Sequence, residues 1–208
     1  VISFDWLKTK GYQPGGGMRS PDGKAFCLNI PKNASTYLTN VLLANGWELH
    51  ILKDSDHFEK MFAFVRDPVD RWVSGFATYA TLHLCSQNFG SDHFVEDYTD
   101  LTERIIFDTV YFDDHTAPQS IYISQLTDPI LLKYNHNLLD QIRWLLGVEI
   151  NDISVEDNVS ENNYDTKQIS KFMKERLQQN PPLVAKLVNA FSIDYELINS
   201  THFYDKPR

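Results

Sequence analysis

The sequence predicts an α/β fold of three layers, in which a central, mainly parallel sheet carries helices on both faces. Three observations predict it. Short apolar runs alternate with segments of helical spacing, several runs are apolar enough to be buried on both faces, and a polar turn joins each run to the next helix. The 208 residues suffice for a single domain with one sizeable core; a composition 42% hydrophobic, with 9 Gly and 9 Pro in no regular period, excludes disordered, collagen-like and disulfide-scaffold classes.

Residues 1–24 read as an N-terminal extension, and their Gly- and Pro-rich stretch 11–24 reads as a loop feeding the first core element. Residues 25–150 then form the core. Ala25 to Ile30 is a short buried strand, and after Pro31-Lys32-Asn33-Ala34-Ser35-Thr36 the spacing of Tyr37, Leu38, Val41 and Leu42 is helical. Trp47 to Leu52 is a second strand and Met61 to Val65 a third. Beyond the third, Asp67 is placed to cap a helix whose first turn holds Pro68 and whose apolar face holds Val69, Trp72, Val73 and Phe76. Phe94 to Val110 is expected to be helical, Ile130 to Tyr134 a strand, and Leu138 to Leu146 an amphipathic helix stopped by Gly147. Residues 151–208 supply a polar loop to about 164 and two helices, about 165–179 and 182–199.

Nineteen Lys and Arg against 28 Asp and Glu give a formal net charge of −9, which argues against nucleic acid or another extended polyanion as partner. A small anion in a local basic pocket is still compatible, because such a field is set by its nearest charges. No stretch approaches the roughly 18 to 20 apolar residues of a membrane span. The opening residues lack the apolar region of a signal peptide, and since the chain does not begin with Met a trimmed leader or anchor stays open. Cys27 and Cys85 are expected to be buried thiols rather than a disulfide.

Two loops carry the chemistry. The 31–36 loop leaves a buried strand and opens a helix, so its backbone N–H groups and the helix dipole favour an anion. Lys32 adds a charge, Ser35 and Thr36 add hydroxyls, and small Ala34 lets a ligand approach; the plain alternative is a helix with Ser or Thr as its N-cap. The loop is not a Walker A motif, because Gly-x-x-x-x-Gly-Lys-[Ser/Thr] is absent. In the second loop, Arg66 stands at the end of a strand and Ser74 lies two turns into the next helix, and the Arg fork suits a phosphate. Arg71 reads as a brace to Asp67 or Asp70 rather than a ligand contact.

Together these residues resemble the sulfotransferases that use 3′-phosphoadenosine 5′-phosphosulfate (PAPS), and the carbohydrate branch of that family looks closest. Pro31 to Thr36 is similar to the family's loop for the 5′-phosphosulfate, with Lys32, Asn33, Ala34, Ser35 and Thr36 as implied contacts. Arg66 to Ser74 is similar to its element for the 3′-phosphate, implying Arg66 and Ser74 there. His115-x-x-Pro118-Gln119 and Asp194-Tyr195-Glu196-Leu197 are weaker matches. The resemblance implies a P-loop-like fold, PAPS as co-substrate without a metal, and transfer of a sulfuryl group to a hydroxyl, on a carbohydrate. Lys32 would then be catalytic, and a base is required. His50 is the first candidate and His115 the second, with Glu48 and His57 in the same region as His50; each also reads as an ordinary core or surface residue. The late basic segment of cytosolic members is missing, and Asp157-Asn158-Val159-Ser160 stands where another nucleotide contact is expected. The acceptor pocket is expected from residues 83–120, whose aromatics Phe89, Phe94, Tyr98, Tyr111 and Phe112 equally suit a core. A non-catalytic nucleotide-binding module and a nucleotide-dependent kinase are the competing readings. Asn33-Ala34-Ser35 is a glycosylation sequon inside the phosphosulfate loop, where a glycan would block the site, so a cytoplasmic location is expected.

Overall fold

The computed structural model describes residues 3–12, 15–83, 109–153 and 164–200. Five strands form one open sheet: β1 (Gly16–Arg19), β2 (Ala25–Leu28), β3 (Glu48–Ile51), β4 (Lys60–Val65) and β5 (Ile130–Lys133), in the spatial order β3-β1-β2-β4-β5. The helices are α1 (Phe4–Thr9), α2 (Ser35–Ala44), α3 (Pro68–His83), α4 (Gln119–Ile123), α5 (Leu138–Leu146), α6 (Tyr164–Gln179), α7 (Pro181–Ala190) and α8 (Ser192–Ser200). Among the described residues no helix is long and apolar enough to cross a membrane.

The sheet is mixed, where a mainly parallel one was expected. β2, β4 and β5 run parallel, but β1 is antiparallel to both β2 and β3. The difference arises at Gly15-Gly16-Gly17, which reads as a turn in sequence. Gly17 is instead paired with Leu28, and a Cβ there would lie 2.3 Å from the Cys27 carbonyl oxygen and 2.5 Å from the Phe26 ring. Here glycine admits a neighbouring backbone and ring inside a strand, a role that composition does not distinguish from a turn.

Alternation along the strands builds a core on each face. Cys27, Phe62, Phe64 and Leu132 point to α2 and α5, meeting Leu38, Leu42, Leu139 and Ile142. Phe26, Leu28, Ala63, Val65 and Leu131 point the other way, toward Leu7 of α1, Tyr122 and Ile123 of α4, and Leu197 of α8. A third cluster joins Trp72 and Phe76 of α3 to Met173 of α6 and to Leu183 and Leu187 of α7. Burial pushes the Cys27 thiol up to about 12, so it packs as an inert apolar group. Cys85 and most of the helix expected over Phe94 to Val110 lie outside the described residues.

Local signals explain the helix ends. Asp67 Oδ1 accepts from the Asp70 N–H at 2.9 Å, capping α3 as expected, and Gly147 ends α5 at φ 67°. The last helix expected at 182–199 is broken at Phe191, and α8 turns so that Asp194 is buried.

Candidate functional site

The loop between β2 and α2 is held in an uncommon backbone conformation. Lys32 and Ala34 both have positive φ, 69° and 60°, which costs an L-residue roughly 1–2 kcal/mol each. Asn33, between them, fixes the loop: its Nδ2 donates to the Phe64 carbonyl and to Gln119 Oε1, both at 2.7 Å. Ala34 is the N-cap of α2 and offers no side-chain hydrogen bond, so the first-turn N–H groups stay available to an anion.

A cavity of about 710 Å³ opens over this loop. Lys32, Ala34, Ser35 and Thr36 line it from the loop and α2, while Arg66 and Ser74 line it from the second loop and α3. Its wall also includes His115 from the turn before α4 and Tyr134 from the end of β5. Asn33 is not on the wall; it lies behind the loop, 2% exposed, where a glycan would not fit.

The cavity is rich in positive charge despite the acidic chain. Lys32 Nζ donates to Thr78 Oγ1 at 2.9 Å, and burial, with Arg66 and Arg71 nearby, holds its ammonium below the usual lysine range. The Arg66 guanidinium lies 5.0 Å from the Tyr134 ring centre and has no carboxylate partner among the described residues. Arg71 is fully buried. Its guanidinium donates to the carbonyls of Pro31, Asp114 and Ala117, so from α3 it braces the first site loop and the turn before α4 through their backbones rather than pairing with Asp67 or Asp70.

His115 Nδ1 stands 2.9 Å from Asp113 Oδ2 and 3.1 Å from Asp114 Oδ1. Burial alone would lower its pKa, but the two carboxylates outweigh burial and raise it to about 9. At neutral pH it is therefore an imidazolium, its charge offset by the two carboxylates that hold it. Asp113, Asp114 and His115 also offer a compact set of metal-ligand atoms, already spent on one another in these contacts.

The other candidate bases stand elsewhere. His50 is absent from the wall of this cavity; its Nε2 meets Asp56 Oδ2 at 2.7 Å, beside the rings of Phe26 and Phe58. It borders a separate cavity. Glu48 and His57 are exposed and line neither. Tyr111 and Phe112 join the third core cluster, Tyr111 through a 2.6 Å hydrogen bond to the Ala190 carbonyl. Phe89, Phe94, Tyr98 and the segment Asp157 to Ser160 are outside the described residues.

Three residues of the site escape sequence reasoning or are only hinted at by it. Gln119 is the joint between the two loops. Its Oε1 accepts from Asn33 and from the Arg66 N–H at 3.0 Å, and its Nε2 donates to the Arg66 carbonyl at 2.8 Å. Buried Asp194 caps α4 from a distant helix, accepting from the N–H groups of Gln119 at 2.8 Å and Ser120 at 2.9 Å. The two weak motif matches are thus one clamp. Gly75 is the third: a Cβ there would lie 2.1 Å from the His115 carbonyl oxygen, so α3 can touch the His115 turn only with glycine at this position.

Compared with known proteins, the chain matches no family model, no curated protein and no solved structure.

Proposed function

We propose that this chain is a sulfotransferase that moves the sulfuryl group of 3′-phosphoadenosine 5′-phosphosulfate to an acceptor hydroxyl on a carbohydrate. The observation that carries the reading is that Lys32 and Arg66, from two loops separated in sequence, line one cavity large enough for a nucleotide. The Pro31 to Thr36 loop takes the 5′-phosphosulfate, and Arg66 with Ser74 takes the 3′-phosphate.

In the transfer, the acceptor oxygen bonds to sulfur as the bond from sulfur to the bridging oxygen breaks. The electron pair of that bond stays on the 5′-phosphate, and the hydroxyl proton leaves to a base. Charge grows on the bridging oxygen, where Lys32, the α2 N–H groups and the Ser35 and Thr36 hydroxyls stabilise it. His115, protonated at neutral pH and paired with Asp113 and Asp114, is not placed to accept the proton. This chemistry is supplied by fixed charges and needs no metal ion.

The test is transfer of radiolabelled sulfuryl from PAPS to a panel of mono- and oligosaccharides, with Lys32→Ala alongside. Labelled product, lost at least about a hundredfold in the variant, is expected. Nucleotide binding without transfer to any acceptor would favour the non-catalytic module, and phosphoryl transfer from ATP with Mg²⁺ would favour the kinase.

A further inference from the structure

A second cavity, of about 790 Å³, lies on the other side of the same loop. Pro31, Ser35 and Thr36 line both cavities, so a group seated at the start of α2 borders the second as well as the first. The second cavity lies along the first half of α2 and edge strand β3: Thr39 and Asn40 line it from the helix, Leu49 and Ile51 from the strand, and Asp114 from the turn before α4. Its chemistry differs from that of the first. The described lining contains no lysine or arginine, and its titratable side chains are Tyr12, His50 and Asp114, whereas the first cavity is lined by Lys32, Arg66 and Arg143 among others.

Resting on the transferase reading, we infer that the second cavity binds an uncharged, polyhydroxylated acceptor, a neutral glycoside, and that Asp114 takes the hydrogen bond and then the proton of the reacting hydroxyl. Hydroxyl and amide side chains such as Thr36, Thr39, Asn40 and Asn29 suit a rim of sugar hydroxyls, which donate and accept in any direction. Leu49 and Ile51, 68% and 49% exposed, offer an aliphatic surface for the C–H face of a ring. A uronate or sulfated sugar would bring its charge beside the Asp114 carboxylate with no cation in the described lining to offset it.

Asp114 is suited to the second role by its contacts. One carboxylate oxygen is held 3.1 Å from His115 Nδ1, and the residue lines the second cavity beside Pro31, Ser35 and Thr36. Burial would raise its pKa, but the hydrogen bond and charge of His115 prevail and keep it ionised. As the oxygen–sulfur bond forms, the hydroxyl proton passes to this carboxylate and then to water, while the leaving electron pair stays on the nucleotide phosphate.

The experiment uses the 208-residue chain, first checked for binding of adenosine 3′,5′-bisphosphate. Transfer from PAPS is then measured to a neutral N-acetyllactosamine oligomer and to a desulfated chondroitin oligomer of equal length, which carries uronates. The neutral acceptor is expected to have a kcat/KM at least about tenfold higher, and Asn40→Arg, a change at an exposed position, to shift the preference toward the uronate by about tenfold. Asp114→Asn is expected to lower kcat by about a hundredfold or more while the bisphosphate still binds within about twofold. Equal or better transfer to the uronate acceptor, or full kcat in Asp114→Asn, overturns the inference. So does sulfation of neither oligomer by a chain that binds the bisphosphate. Failure to bind the bisphosphate instead removes the transferase reading itself, so the two failures are distinguishable.

Discussion

Gln119→Leu removes the clamp between the two phosphate loops with little change in volume. In the structure it deletes three hydrogen bonds, two accepted by Oε1 and one donated by Nε2. Two of them are the partners of the Arg66 N–H and carbonyl. Asn33 Nδ2 retains the Phe64 carbonyl at 2.7 Å, so it is only half stripped. A buried polar group left without a partner costs about 1–3 kcal/mol, so two orphaned groups and a weakened third predict a loss of about 3–5 kcal/mol. A domain has about 5–15 kcal/mol in total, so the variant should be marginally folded and should grip the nucleotide poorly. Urea unfolding followed by tryptophan fluorescence measures the first effect, and titration with adenosine 3′,5′-bisphosphate the second. Gln119→Glu, which keeps both accepted bonds and loses only the donated one, should fall between Leu and wild type. A loss under about 1 kcal/mol in the Leu variant, with unchanged nucleotide affinity, would refute the clamp.

Two other outcomes follow from the same geometry. His115, facing Asp113 and Asp114 with the Arg71 guanidinium beyond them, has its pKa raised from 6.5 to about 9; a raised pKa stabilises fully below pH 6.5 and its contribution is lost as pH climbs through 9, an effect of up to about 3 kcal/mol. A ring titration by NMR with a midpoint near 6.5, or stability flat across this window, would contradict it. Gly75→Ala must displace the His115 carbonyl, which lies 2.1 Å from the new Cβ, and should cost about 1–3 kcal/mol in denaturant midpoint together with nucleotide affinity; an unperturbed variant would show that α3 and the turn move apart freely.

Much of this was legible in the sequence because it rests on short-range signals. The β2-loop-α2 and β4-loop-α3 units are contiguous, each with an apolar run, a polar turn and a helical period, and both appear where expected. That Lys32, Ser35, Thr36, Arg66 and Ser74 border one cavity follows from neighbouring parallel strands ending on the same side. What sequence did not disclose is set by contacts between distant segments. Gly17 looks like a turn residue until Phe26 is packed on it, and Gln119 looks like a surface residue until Asn33 and Arg66 are brought to its amide. The placement of His50 has a related cause: spacing puts it near the phosphate loops, but its edge strand carries it to the wall of the second cavity rather than the first, and Asp56 engages it there. His115 does border the first cavity, yet two carboxylates that sequence shows only as neighbours change its charge.

The central claim is that Lys32 and Arg66 hold different phosphates of one nucleotide. Calorimetric titration with adenosine 3′,5′-bisphosphate and with adenosine 5′-monophosphate, for wild type, Lys32→Ala and Arg66→Ala, tests it most directly. Wild type should bind the bisphosphate at about micromolar Kd and lose at least about tenfold when the 3′-phosphate is removed. In Arg66→Ala that discrimination should shrink to about threefold or less, whereas Lys32→Ala should weaken both nucleotides by a similar factor. Discrimination that survives intact in Arg66→Ala, or wild-type affinity in both variants, would contradict the account.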